Sequence, residues 1–100
     1  MPQIKSAIKR VAIAERNRLR NKAAKSTIRT LMKKFFIQAE AYAAGAEDVN
    51  LEQVQASMSA AFSKIDKAAG KGVMHRNTAA RRKARLARTL KQAEATAANS

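Results

Sequence analysis

Apolar residues recur at helical spacing in three stretches of this chain. Ile28, Leu31, Met32, Phe35, Ala39 and Tyr42 follow one another mostly at three- and four-residue steps, which places them on one side of an α-helix. Leu51, Val54, Met58, Ala61, Phe62 and Ile65 repeat that spacing. Ala79, Leu86, Leu90, Ala93 and Ala97 form a sparser third stripe, interrupted by Lys83. Punctuation falls between the stripes, at Gly45, Gly70 and Gly72, while Pro2 stands at the start. Gly45 can take the left-handed conformation that ends a helix, and Gly70 with Gly72 stops the second one. Asn50 is placed to cap the second helix, with Gln53 three residues on and Val49 and Val54 at hydrophobic-staple positions. Asn77 or Thr78 is placed to cap the third, after Val73 and Met74 tuck against the bundle. The pattern predicts an all-α three-helix bundle in a single domain over residues 1–100, with helices at about 4–44, 50–69 and 77–95.

The helices are unequal in length. At about 1.5 Å per residue the first would be roughly 60 Å long and the second roughly 30 Å. Half of the first helix therefore has no protein to pack on, and the unsupported half is the amino-terminal one, because the matched stripe begins at Ile28. On a helical wheel that stripe centres near about 270°, whereas Ile4, Ile8 and Val11 cluster near about 50°. Supercoiling shifts the phase by only about 20° per heptad, so the two stripes cannot merge. The expected shape is a bundle with a projecting basic rod.

Composition sharpens this picture. Hydrophobic residues make up 46% of the chain, but 23 of them are alanine, which favours helix and buries little surface. A thin core under a net charge of +14 predicts a chain whose folding is coupled to binding. Cysteine is absent, so neither a disulfide framework nor a thiolate metal site is available, and a reducing compartment fits. No apolar run approaches the roughly 18 to 20 residues that span a bilayer, and the amino terminus lacks a secretory signal. These features predict a cytoplasmic protein.

The charge is segregated. Residues 1–34 carry eleven Lys/Arg against Glu15; residues 35–63 carry none, with acids at Glu40, Glu47, Asp48 and Glu52; residues 64–91 carry ten against Asp66. Such a distribution adds nothing to fold stability and points to a polyanionic partner. Arg16, Arg18, Arg20, Lys22, Lys25 and Arg29, with Lys33 beyond them, spread around the first helix, which suits insertion between polyanion strands. Arg76, Arg81, Arg82, Lys83, Arg85, Arg88 and Lys91 form a second cluster, rich in the guanidinium groups that grip phosphate bidentately. Phe35, Phe36, Tyr42 and Phe62 all lie in the neutral-to-acidic middle, so no stacking platform is expected, and backbone and shape recognition is favoured.

Enzymatic chemistry has no foothold. His75 is the only histidine and has no imidazole or thiol partner for a metal, nor a serine or carboxylate at motif spacing. A loop-surface or phosphate-contacting role is expected of it. Gly70-Lys71-Gly72 lacks both the Ser/Thr after the lysine and the earlier glycine of a phosphate-binding loop. Asp66, among Lys64, Lys67 and Lys71, reads as a helix-surface ion-pair partner. No cofactor, metal, small-molecule substrate, membrane association or homo-oligomer is expected.

Several segments resemble one family in order and spacing. Ile4-Lys5-Ser6-Ala7-Ile8-Lys9-Arg10-Val11 and Lys25-Ser26-Thr27-Ile28-Arg29-Thr30 are similar to the amino-terminal half of the bacterial small-subunit ribosomal protein family S-twenty. Ile65 to Ala69, Gly72 to Asn77 and Ala79 to Leu86 resemble its second signature. The resemblance, from Ile4 to about Leu90, implies a ribosomal-protein helical domain in the cytoplasmic ribosome. It would bind 16S ribosomal RNA early in assembly, beside other small-subunit components, without enzymatic activity. It implies RNA contacts at Lys5, Ser6, Lys9, Arg10, Lys25, Ser26, Arg29, Thr30, His75, Arg76, Asn77, Arg81, Lys83 and Arg85. Ala84 stands where the family often has serine, and the tail from Ala93 to Ser100 matches no motif and is expected to fray. Composition alone permits a nucleoid-associated double-stranded DNA binder almost equally. A membrane-surface cationic helix is the third reading, weakened by the missing wide apolar face.

Overall fold

The computed structural model describes residues 2–99, which form three α-helices: α1 Pro2–Ala43, α2 Leu51–Gly70 and α3 Arg76–Ala98. Proline suits the first turn, where its missing N–H has no intrahelical partner to lose. Averaged over its 42 residues α1 has no preferred apolar side, as two stripes pointing in different directions require.

Both turns after the first two helices close in the same way. Gly45 (φ 84°) and Gly72 (φ 77°) take left-handed backbone, and in each case the glycine's own amide and that of the next residue bond back to the helix end. Ala46 N donates to Ala41 O at 3.0 Å and Gly45 N to Tyr42 O at 3.1 Å; Val73 N donates to Ala68 O at 2.9 Å and Gly72 N to Ala69 O at 3.2 Å. This satisfies carbonyls that a helix end otherwise leaves open. Gly70, by contrast, is the last residue of α2 and has no positive φ. At the other end of α2 the capping box is complete: Gln53 N donates to Asn50 Oδ1 at 2.8 Å and Asn50 N to Gln53 Oε1 at 3.0 Å.

The short Ala44–Asn50 connection returns α2 antiparallel to α1. α3 then runs alongside α1 in the same direction, with His75 and Thr78 near Lys25 and Arg29, and Thr89 and Thr96 near Phe36 and Ala43. The core lies where the three helices overlap. Its largest fully buried side chains are Phe35, Ile28, Ile65, Leu86 and Val54, each contributing roughly 1.5–3 kcal/mol by burial. Met32, Ala39, Ala61, Ala68, Met74, Ala79, Leu90 and Ala93 complete it. Leu31, Phe36, Tyr42, Val49, Leu51, Met58, Phe62 and Val73 flank it half-buried, and among the described residues no buried polar or charged side chain interrupts it. Ser57 Oγ donates to Gln38 Oε1 between α2 and α1.

Two expectations are corrected. The tail does not fray at Ala93: that residue is buried, and α3 continues to Ala98, since the alanine-rich sequence favours helix and the α1 face extends far enough to cover it. The third helix is capped neither by Asn77 nor by Thr78 but by His75, whose Nδ1 accepts from Asn77 N at 3.1 Å.

All described side chains from Ile4 to Ala23 are exposed, and the first buried one among those described in α1 is Ile28. The molecule measures 72 × 25 × 14 Å with a radius of gyration of 18.8 Å, against about 13 Å for a compact chain of this length.

Candidate nucleic-acid interface

The projecting half of α1 carries Lys5, Lys9, Arg10, Arg16, Arg18, Arg20 and Lys22, with Ser6, all exposed. Ile8 and Val11 are 64% and 69% exposed, so the amino-terminal apolar stripe has nothing of this protein to cover it. One cation here is already matched. Arg18 grips Glu15 one turn back through Nη2–Oε1 at 2.6 Å and Nε–Oε2 at 3.1 Å. The guanidinium holds the Glu15 carboxyl below the usual glutamate range, and the carboxylate in turn raises Arg18.

Folding joins the second cluster to the first at the point where α1 enters the bundle. Lys25 and Arg29 of α1 face His75, Thr78 and Arg82 across a cleft floored by Val73 and Met74. Buried Met74 and the Val73–Ala68 bond fix the loop that sets this spacing. Arg29 and Arg82 then lead into a neighbouring groove, where Lys33 and Arg85 continue the cationic lining. Residues some fifty positions apart in sequence thus make one basic trough between α1 and α3. The α1–α2 groove opposite is lined by Leu31, Lys34, Gln38, Gln53, Ala56, Ser57 and Ala60, with Lys34 its one cation.

Individual side chains differ in what they can offer. Because His75 Nδ1 accepts the capping bond it carries no proton in this geometry, which leaves Nε2 as the ring's outward donor. Arg76, Asn77, Arg81, Arg85 and Arg88 are exposed, whereas Arg82 and Lys83 are half-buried. Lys83 Nζ lies 2.8 Å from Asp66 Oδ1 and 5.9 Å from the Phe62 ring centroid, so its charge is engaged within the bundle. This corrects the expectation for Asp66: its partner comes from α3 rather than from Lys64, Lys67 or Lys71 on its own side. Thr30 Oγ1 donates to Ser26 O at 3.0 Å, so its hydroxyl proton is committed to the helix and its oxygen can only accept. Ser26 is exposed beside it.

The expected separation of aromatics from cations fails at Phe36. Arg85 lies over its ring with Cζ 4.9 Å from the centroid, and Arg29, Lys33 and Arg82 line the same groove. Two of these neighbours, at three and seven residues before Phe36, were legible as one helix face. The other two arrive only through packing of α3 on α1.

Among the described residues no group of three or more His, Asp or Glu is gathered to hold a metal ion, and no helix is long and apolar enough to cross a membrane. What the described residues present is an elongated cationic surface. The comparisons with known proteins agree with that form. The family described as Ribosomal protein S20 matches residues 2–91. The chain is 67% identical to the small ribosomal subunit protein bS20 of Synechococcus sp. (strain JA-2-3B'a(2-13)) over 91 residues, covering 91% of this chain and 84% of that one. It is 64% identical to bS20 of Synechococcus sp. (strain JA-3-3Ab) over 92% of each chain, and 58% identical to bS20 of a Cyanothece strain over 99% of this chain and all of that one. With residues 2–91 matched by the family and relatives 58–67% identical over at least 91% of its length, the chain belongs to the ribosomal protein S20 family.

Proposed function

We propose that this protein is a structural constituent of the small ribosomal subunit, without enzymatic activity, and that it binds 16S ribosomal RNA directly. The observation that carries the reading is the meeting of both basic segments in one trough at the root of an uncovered basic helix. RNA phosphates brought along the trough and the rod are neutralised from several sides, which draws RNA segments together and stabilises their folded arrangement. The relatives carry the name of a small-subunit protein, which supports RNA rather than duplex DNA as the polyanion and the ribosome as the place of action.

Binding of the full chain to a 16S RNA transcript and to duplex DNA of equal length, followed across salt concentrations, tests this. Tighter binding to the RNA is expected, with affinity falling about a thousandfold or more between low and moderate salt if six to ten phosphates are neutralised. Equal affinity for DNA would support the nucleoid reading instead, and a slope near zero would remove the phosphate model. Circular dichroism of the chain with and without the transcript measures how far α1 is ordered by RNA.

A further inference from the structure

Packing α3 against α1 leaves a groove of about 500 Å³, within the range of small-ligand sites. Its floor is apolar, made by Met32, Phe36 and the 59%-exposed Ile37; its rim is Arg29, Lys33, Arg82 and Arg85, with Glu40 as the single acid. A cationic rim over an apolar floor is a poor seat for an apolar helix, whose approach would desolvate four charges without matching them. It complements a ligand that is flat and apolar in the middle and anionic at its edge. An unstacked nucleotide has that form.

Resting on the RNA-binding reading above, we propose that this groove takes one unstacked nucleotide of the bound RNA. Its base extends the Phe36–Arg85 stack, and its phosphate meets Arg29 and Arg82. With Cζ 4.9 Å above the Phe36 ring, the Arg85 guanidinium leaves no room for a base beneath it, so the base stacks on the outer face of that guanidinium plane. The platform is preorganised. Phe35, fully buried, meets Phe36 edge to face with centroids 5.5 Å apart and planes at 64°, which restrains the Phe36 ring over which Arg85 lies. Glu40 can only accept hydrogen bonds as a carboxylate, so it favours a base presenting two adjacent donors, as guanine does through N1–H and the N2 amino group.

The test uses full-length protein and 16S RNA transcripts carrying randomly placed 6-thioguanosine or 4-thiouridine, irradiated and mapped by mass spectrometry. Thioguanosine crosslinks within the 32–40 and 82–89 peptides are expected, exceeding those from thiouridine. Phe36→Leu keeps an apolar side chain on the core and Arg85→Lys keeps the charge, so both preserve the fold while removing the platform. Each should weaken RNA binding by about 5- to 150-fold, the range for one stacked base, with the salt slope unchanged. Glu40→Gln should lose the preference for thioguanosine. Crosslinks confined to the amino-terminal half of α1, with both platform variants binding like the parent, would overturn the groove proposal and leave RNA binding standing. Absence of salt-dependent binding by the parent protein would overturn both.

Discussion

Lys83 of α3 and Asp66 of α2 meet at 2.8 Å, and the same ammonium lies beside the Phe62 ring, so a cation of the second basic cluster serves to join two helices. With side-chain exposures of 35% and 59% the pair is largely in water, and Asp66→Asn should cost no more than about 1 kcal/mol in urea denaturation. Its effect on binding should have the opposite sign: releasing Lys83 tightens RNA binding slightly in a filter assay. Lys83→Ala should accordingly weaken binding less than Arg81→Ala, whose side chain is exposed and makes no ion pair among the described residues.

Phe35 is wholly buried, whereas Phe62 is only half-buried at the edge of the core. Phe35→Ala should therefore cost about 3–5 kcal/mol, enough to unfold most of so thin a bundle, and Phe62→Ala clearly less. The order of the two midpoints in thermal denaturation checks the core.

Reversing Arg18, Arg20 and Lys22 to Glu should leave the bundle's denaturation midpoint unchanged, because no described side chain from Ile4 to Ala23 is covered by the bundle. Binding to the RNA transcript should fall by several kcal/mol, and the log–log salt slope should shrink by about two to three units. Unchanged affinity would mean that the rod does not touch RNA.

The Glu15–Arg18 pair sets a pH response within the rod. Arg18 lowers the folded carboxyl pKa below its unfolded value, so the pair's contribution to local helix is present above the unfolded value and is lost as pH falls through the folded one. A residue-resolved NMR titration should find the Glu15 midpoint below that of an ordinary glutamate, and Arg18→Gln should return it upward. At neutral pH, Glu15→Gln should free the Arg18 guanidinium and strengthen RNA binding.

Much of this architecture was legible because it is local. Three- and four-residue spacing marks the buried faces, the Asn50–Gln53 reciprocity marks the start of α2, Gly45 marks a left-handed closure and Gly70 with Gly72 the end of α2, though only the structure shows that Gly72 is the left-handed one of that pair. What escaped depends on partners distant in sequence or on an unusual use of a side chain. An imidazole nitrogen serving as a helix cap is a rare substitute for an Asn or Ser oxygen, so sequence reasoning points to Asn77 or Thr78 rather than to His75. The Asp66–Lys83 pair and the Arg85–Phe36 stack cross between helices, and no periodicity within one element reveals them. The cationic residues were individually evident, but their meeting in one trough depends on α3 running parallel to α1.

Because α1 passes unbroken from the buried stripe out to Pro2, the bundle and the tip move as one lever. Over the roughly 30 Å of projecting helix, a tilt of about 10° at the root swings the far end by about 5 Å, close to the spacing of successive nucleotides. If RNA is bound along the rod as proposed, a small error in seating the bundle becomes a larger displacement at Lys5 and Lys9, so docking at one end would proofread the other.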